Sequence, residues 1–121
     1  LEAVENLVFP VLSDDFDKWK AGNDKAEYVI LESATILEKP QLTGLGDITI
    51  LIDAPMDVRA CRAAARDGVS VADIRKRMDV QKMMNEISSG VKAAPADYVI
   101  LNDSSEEDLH EKLTDWVKNC L

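Results

Sequence analysis

Histidine and cysteine are nearly absent from this 121-residue chain, which holds only His110, Cys61 and Cys120. The cysteines share no CxxC spacing, and one histidine makes no metal constellation. Two reduced cysteines of a cytosolic protein are the plain reading. Ser33 lacks a G-x-S-x-G setting and lies far in sequence from His110, so a Ser/His hydrolase is not supported. The glycines, Gly22, Gly44, Gly46, Gly68 and Gly90, open neither GxxxxGK[ST] nor GxGxxG. No apolar run approaches the ~18 residues of a membrane-spanning helix. No basic stretch leading into an apolar one opens the chain. Positive charge is scarce: 14 Lys and Arg stand against 23 Asp and Glu, for a net charge of −9. Non-specific binding to nucleic acid or to anionic lipid is therefore not expected.

With 46% hydrophobic and 31% charged residues, the chain can bury a core. Its length suits one domain. Val4, Leu7, Val8, Val11, Leu12, Phe16 and Trp19 recur at helical spacing. Pro10 is expected to break that run into a short helix ending near Val8 and a second one opened by the proline. Three apolar runs follow: Tyr28-Val29-Ile30-Leu31, Ile48-Thr49-Ile50-Leu51-Ile52 and Tyr98-Val99-Ile100-Leu101. Apolar residues on successive positions predict strands buried on both faces, as in a parallel sheet. The segments between them are long enough for crossover helices. Pro55 is placed to open a helix after the second strand. Ser70-Val71-Ala72-Asp73 and Ser104-Ser105-Glu106-Glu107 read as capping boxes. Leu109, Leu113, Trp116, Val117 and Leu121 share one face of a last helix. The class is α/β, with three strands and at least four helices.

Charge is segregated along the chain. All five arginines fall between Arg59 and Arg77, and residues 57–92 carry a local +3 in an acidic chain. Arg59, Arg62 and Arg66 line one helix face. Arg75 and Arg77 lie in the next helix, beyond Asp67-Gly68. A guanidinium grips phosphate through two donors and keeps its charge, so two arginine-bearing helices suit a polyphosphate. Surface pairing with Asp57, Asp67, Asp73 and Asp79 is the alternative. Asp53, at a strand end, reads as a helix cap beside Pro55, with phosphoacceptor or metal ligand as the other readings. Met78, Met83 and Met84 read as core or lid packing.

Ala54-Pro55, Arg62, Ala65-Arg66-Asp67-Gly68-Val69-Ser70, Arg75, Arg77, Gln81, then Ala96-Asp97-Tyr98-Val99-Ile100 and Asn102 resemble the C-terminal half of dephospho-coenzyme A kinases. Leu1-Glu2-Ala3-Val4 with Phe9-Pro10, and Tyr28 to Ala34 with Leu37-Glu38, resemble the segments before it. The resemblance implies a P-loop kinase fold: a parallel sheet, flanking helices, a substrate-binding helical region at about 1–27 and a helical lid at about 68–95. The implied reaction transfers phosphoryl from ATP to the ribose 3′-hydroxyl of dephospho-coenzyme A. Arg62, Arg66 and Asn102 are implied at ATP. Arg75, Arg77 and Gln81 are implied as lid phosphate ligands. Phe9, where the family usually has His, is implied at the substrate with Glu32, Ser33 and Leu37.

The family's P-loop, its Mg²⁺ ligands and its base aspartate fall upstream of Leu1. No catalytic residue and no metal ligand is therefore assigned to this chain, which is expected to be a fragment inactive alone. A P-loop strand would lie between the first two strands of this chain, so self-association through bare strand edges is expected. A cytoplasmic location follows from the family. Two other readings stand beside this one: a nucleoside-monophosphate-type kinase, and a non-catalytic binding module. A receiver-like domain needs five strands and is set aside.

Overall fold

A computed structural model describes residues 1–42, 44–81, 85–87, 90 and 95–121. They form two units, Leu1–Asp47 and Ile48–Leu121. Among the described residues, no helix is long and apolar enough to cross a membrane.

In the first unit, helix α1 runs unbroken from Glu2 to Gly22. This corrects the expected break at Pro10. The missing N–H of Pro10 leaves only the Asn6 carbonyl without its helical donor, and Asn6 is exposed, so water can take that role. Glu2 and Glu5 in the first turn and Lys20 in the last complement the helix dipole. The Asn23 side chain closes the helix by donating to the Trp19 carbonyl at 2.8 Å. A single 3₁₀ turn, Pro40–Leu42, buries Leu42. It packs on α1 beside an ion pair between Lys39 Nζ and Glu5 Oε1 at 2.7 Å.

Residues 28–31 are not a strand. The three-strand expectation is corrected to a two-stranded parallel sheet among the described residues. A strand needs a neighbour to take its N–H and C=O groups. The first unit offers no second strand among its described residues, and Ile30 is 86% exposed.

In the second unit, β1 (Ile50–Asp53) pairs parallel with β2 (Tyr98–Leu101), Ile50 opposite Tyr98 and Asp53 opposite Leu101. Leu51 and Ile100 are buried and point to opposite faces. Their neighbours Ile52 and Val99 remain open, so the expected burial of both faces is only half realised. Helix α2 (Met56–Asp67) starts directly after Pro55. It ends at Gly68, whose φ of 66° is the left-handed conformation that glycine tolerates best. Helix α3 (Val71–Met78) is capped by Ser70, whose Oγ accepts from the Asp73 N–H at 3.1 Å. Ala60 and Ala64 of α2 let α3 approach closely, and Ile74 and Met78 fill the contact with Met56, Ala63 and Val69 around them. Helix α4 (Glu106–Cys120) is capped by Ser105, one residue later than the sequence pattern suggested, with Oγ accepting from Asp108. Tyr98 of β2 meets Trp116 of α4 edge to face at 5.3 Å. Met83, Met84 and most of the segment 86–95 lie outside the described residues.

Candidate functional site

Because β1 and β2 are parallel, the segments that leave both strands emerge at the same edge, where open α/β sheets bind ligands. Asp53 is not the cap expected for α2, whose N-cap is Pro55 without a side-chain bond; its Oδ1 instead accepts from the Ala54 N–H at 2.8 Å. Arg59 Nε donates to the Ala54 carbonyl at 3.0 Å. The Asn102 N–H donates to the Asp53 carbonyl at 2.6 Å, tying one exit segment to the other. Arg62 then reaches across from α2. Its Nη1 donates to the Asn102 carbonyl at 2.7 Å and its Nη2 to the Ser104 carbonyl at 3.0 Å. Lys112 of α4 holds the Leu101 carbonyl at 2.9 Å and Asp108 at 3.0 Å. The C-terminal edge is thus a set of backbone carbonyls gripped by cations from two helices.

The second feature is the cationic surface of the α2–α3 hairpin. With about 100° per residue, Arg59, Arg62 and Arg66 fall on the side of α2 away from the Ala60/Ala64 contact. Asp67 gathers two arginines: Arg66 donates from Nε at 2.8 Å and from Nη2 at 3.3 Å, and Arg77 Nη1 lies at 3.6 Å. Arg75 of α3 pairs with Asp57 of α2. The Asp67 carboxyl is held below its ordinary range, mainly by the hydrogen bond from Arg66, and the Arg66 guanidinium is correspondingly raised. The side chains of Arg66, Arg75 and Arg77 are 75%, 52% and 64% exposed. Exposed pairs of this kind contribute little, so exchanging a carboxylate for phosphate oxygens on the same guanidinium fork costs little.

The structure therefore brings Arg62 and Asn102 into contact, and groups Arg66 with Arg77 around Asp67. Arg75 is paired separately, and Gln81 is exposed one turn past α3, its N–H on the Met78 carbonyl at 2.9 Å. The remaining predicted residues belong to the first unit. Phe9 is half-buried on α1, Leu37 is half-buried, and Glu32 and Ser33 are exposed. Ser33 Oγ accepts from the Thr35 N–H at 3.2 Å. Ion pairing of the arginines, the alternative raised by the sequence, is present for Asp57 and Asp67. Sequence reasoning missed Glu38, whose Oε1 is buried without a hydrogen-bond donor among the described residues. Leu37-Glu38 belongs to the segment that carries the resemblance, but of this pair the resemblance implies a role only for Leu37.

A hollow lined by His110, Glu111, Thr114, Asp115 and Lys118 runs along one helix and encloses nothing. It is not read as the site. Among the described residues, no three His, Cys, Asp or Glu side chains converge as metal ligands.

The dephospho-CoA kinase family profile matches residues 1–108. The chain is 34% identical to a dephospho-CoA kinase of Porphyromonas gingivalis over 102 residues, covering 84% of this chain and 48% of that protein. It is 30% identical to a dephospho-CoA kinase of Neisseria gonorrhoeae over 112 residues, 90% of this chain and 50% of the relative. It is 35% identical to one of Acinetobacter baylyi over 94 residues, 78% and 45% of the two chains. The chain spans about half the length of these curated relatives. No solved structure gives a significant match.

Proposed function

This chain belongs to the dephospho-CoA kinase family, and on that premise we propose that it supplies the ATP-gripping edge, the lid and part of the substrate surface of an enzyme that phosphorylates the ribose 3′-hydroxyl of dephospho-coenzyme A. The observation that carries this reading is the meeting of Arg62 and Asn102 at the C-terminal edge of the parallel sheet. Arg62, Arg66 and Asn102 serve ATP, with Asn102 beside the adenine. Arg75, Arg77 and Gln81 belong to a lid at about 68–95. Phe9, Glu32, Ser33 and Leu37 meet dephospho-coenzyme A, the first from a substrate-binding region at about 1–27.

Phosphoryl transfer is mainly positioning and electrostatics. The arginines provide the electrostatic part. Arg75 and Arg77 lie on α3, within the lid, so its closure brings fixed positive charge to a phosphoryl group whose oxygens gain charge in transfer. The same closure keeps water from the transferring group. Mg²⁺ accompanies ATP in such reactions, but among the described residues no three His, Cys, Asp or Glu side chains converge to hold it. Residues 1–121 contain no GxxxxGK[ST] motif. We assign them no base, and they are not expected to turn over alone. A cytoplasmic location suits this reading.

The test is ATP-dependent phosphorylation of dephospho-coenzyme A by the protein with its native upstream coding sequence. Nucleoside monophosphates are offered in competition. Arg66→Ala should lower kcat/KM by roughly 10- to 100-fold. Preference for a nucleoside monophosphate, or an unchanged Arg66→Ala enzyme, would sink the assignment.

A further inference from the structure

We infer that Arg62 is a positioning residue, which sets the nucleotide-facing loop after β2 through its backbone and does not bind phosphate itself. The inference rests on the functional reading above and refines one residue within it. The arginines of the hairpin fall into two groups by partner. Arg66, Arg75 and Arg77 face carboxylates. A carboxylate presents the same paired oxygens as a phosphate, so a ligand can take its place. Arg62 instead gives both ends of its guanidinium to two main-chain carbonyls, Asn102 at 2.7 Å and Ser104 at 3.0 Å, residues 40 and 42 positions further along the chain. These bonds occupy the Nη1–Nη2 edge, so a phosphate could grip that edge only by releasing the loop.

Lys112 also touches this loop, its Nζ 3.8 Å from Asp103 Oδ1 and on the Leu101 carbonyl at 2.9 Å, but neither contact reaches the carbonyls of Asn102 and Ser104. The loop runs from the end of β2 at Leu101 to the cap at Ser105. Upstream, the Asn102 N–H is anchored on the Asp53 carbonyl at 2.6 Å. Downstream, Ser105 caps α4. Arg62 supplies the hold between these anchors. With its N–H and its C=O both fixed, the backbone of Asn102 has one direction from which to project its side chain. The planar fork matters here, because its two Nη groups are set apart and fixed in one plane toward two carbonyls two residues apart, whereas the donors of an ammonium share one nitrogen. A neutral replacement leaves both carbonyls to water, and a lysine retains the charge while holding one of them.

The experiment compares wild type, Arg62→Lys and Arg62→Met in the protein with its native upstream sequence. Two readouts are taken: amide hydrogen exchange at Asp103 and Ser104, and affinity for ATP, GTP and inorganic tripolyphosphate. Both variants should speed exchange at these amides and lower the preference for ATP over GTP by roughly tenfold, the scale of a charge-assisted bond. Tripolyphosphate affinity should stay within about twofold, since no phosphate contact is lost. Equal losses for ATP and tripolyphosphate would make Arg62 a phosphate ligand and overturn the inference. So would Arg62→Lys behaving as wild type in both readouts. A wild-type protein that binds neither ATP nor tripolyphosphate overturns the kinase reading itself, and the two failures are therefore told apart.

Discussion

Asp97 and Thr49 are joined twice, one position before the strand pair begins: Asp97 Oδ2 accepts the Thr49 N–H at 2.7 Å, and the Asp97 N–H donates to the Thr49 carbonyl at 2.9 Å. The next residue, Tyr98, also sends its N–H to the Thr49 carbonyl at 3.2 Å. Parallel strands lack a tight turn to set their register. Here a carboxylate does so, because it pins the residue before Ile50 to the residue before Tyr98. The aspartate of the Ala-Asp-Tyr-Val-Ile stretch thus has a structural role.

Asp97→Ala should therefore lower stability by about 1–2 kcal/mol, since it leaves the Thr49 N–H without its acceptor. Asp97→Asn keeps an acceptor and should cost roughly half as much. Urea unfolding followed by the fluorescence of Trp116, which packs on Tyr98, in a Trp19→Phe background measures both. Equal stability of all three proteins would refute the register role.

Asp67 gives the second unit a dependence on pH. Its folded-state pKa is depressed, first by the hydrogen bond from Arg66. A depressed carboxyl contributes stability that is fully present above its unfolded value, about pH 4, and is lost as pH falls through the folded one. Thermal unfolding of wild type and Asp67→Asn should differ by a constant gap from roughly pH 5 to 7 and converge once pH has fallen through the depressed folded-state value. The group is exposed, so the gap is small and shrinks with added salt. A gap that widens on acidification would reverse the sign and refute the assignment.

Much of the second unit was legible in the sequence because its signals are local. Pro55 sets the start of α2, Gly68 its end, and Ser70 the cap of α3. The strand at Tyr98–Leu101 matched its apolar run at both ends. What failed depended on context. The run at residues 28–31 has the composition of a strand, but a strand also requires a neighbour. Pro10 is a strong breaker in isolation, yet solvent exposure lets α1 pass through it. Ser104 and Ser105 offer nearly identical capping patterns, and only the geometry selects the second. In the site, the grouping of arginines on the hairpin was readable from spacing. The carbonyl partners of Arg62 were not, because every residue offers a carbonyl.

Gly68 links the two arginine-bearing helices in a left-handed conformation, with nothing within 4 Å of where a Cβ would stand. Substitution there adds backbone strain without a clash. Gly68→Ala should cost about 1 kcal/mol, and Gly68→Asn less, because asparagine tolerates this conformation. A midpoint shift in urea without a change in slope is the expected signature. If Gly68→Ala proves as stable as wild type, the turn is not strained by a side chain.

Two parallel strands with Ile52 44% and Val99 52% exposed bury too little to be independently robust, and uncovered apolar strands favour pairing with another copy. Residues 1–121 alone should therefore associate at micromolar concentration, with a sedimentation coefficient that rises with loading. Val99→Lys places a charge on the exposed side chain, and lysine on an exposed strand opposes edge pairing. It should shift the chain toward monomer while leaving Leu51 and Ile100 buried as before. Native upstream sequence should have the same effect if it covers this sheet. A monomer at all concentrations, with a sharp and concentration-independent melting transition, would show that the two strands with α2 and α4 are sufficient by themselves.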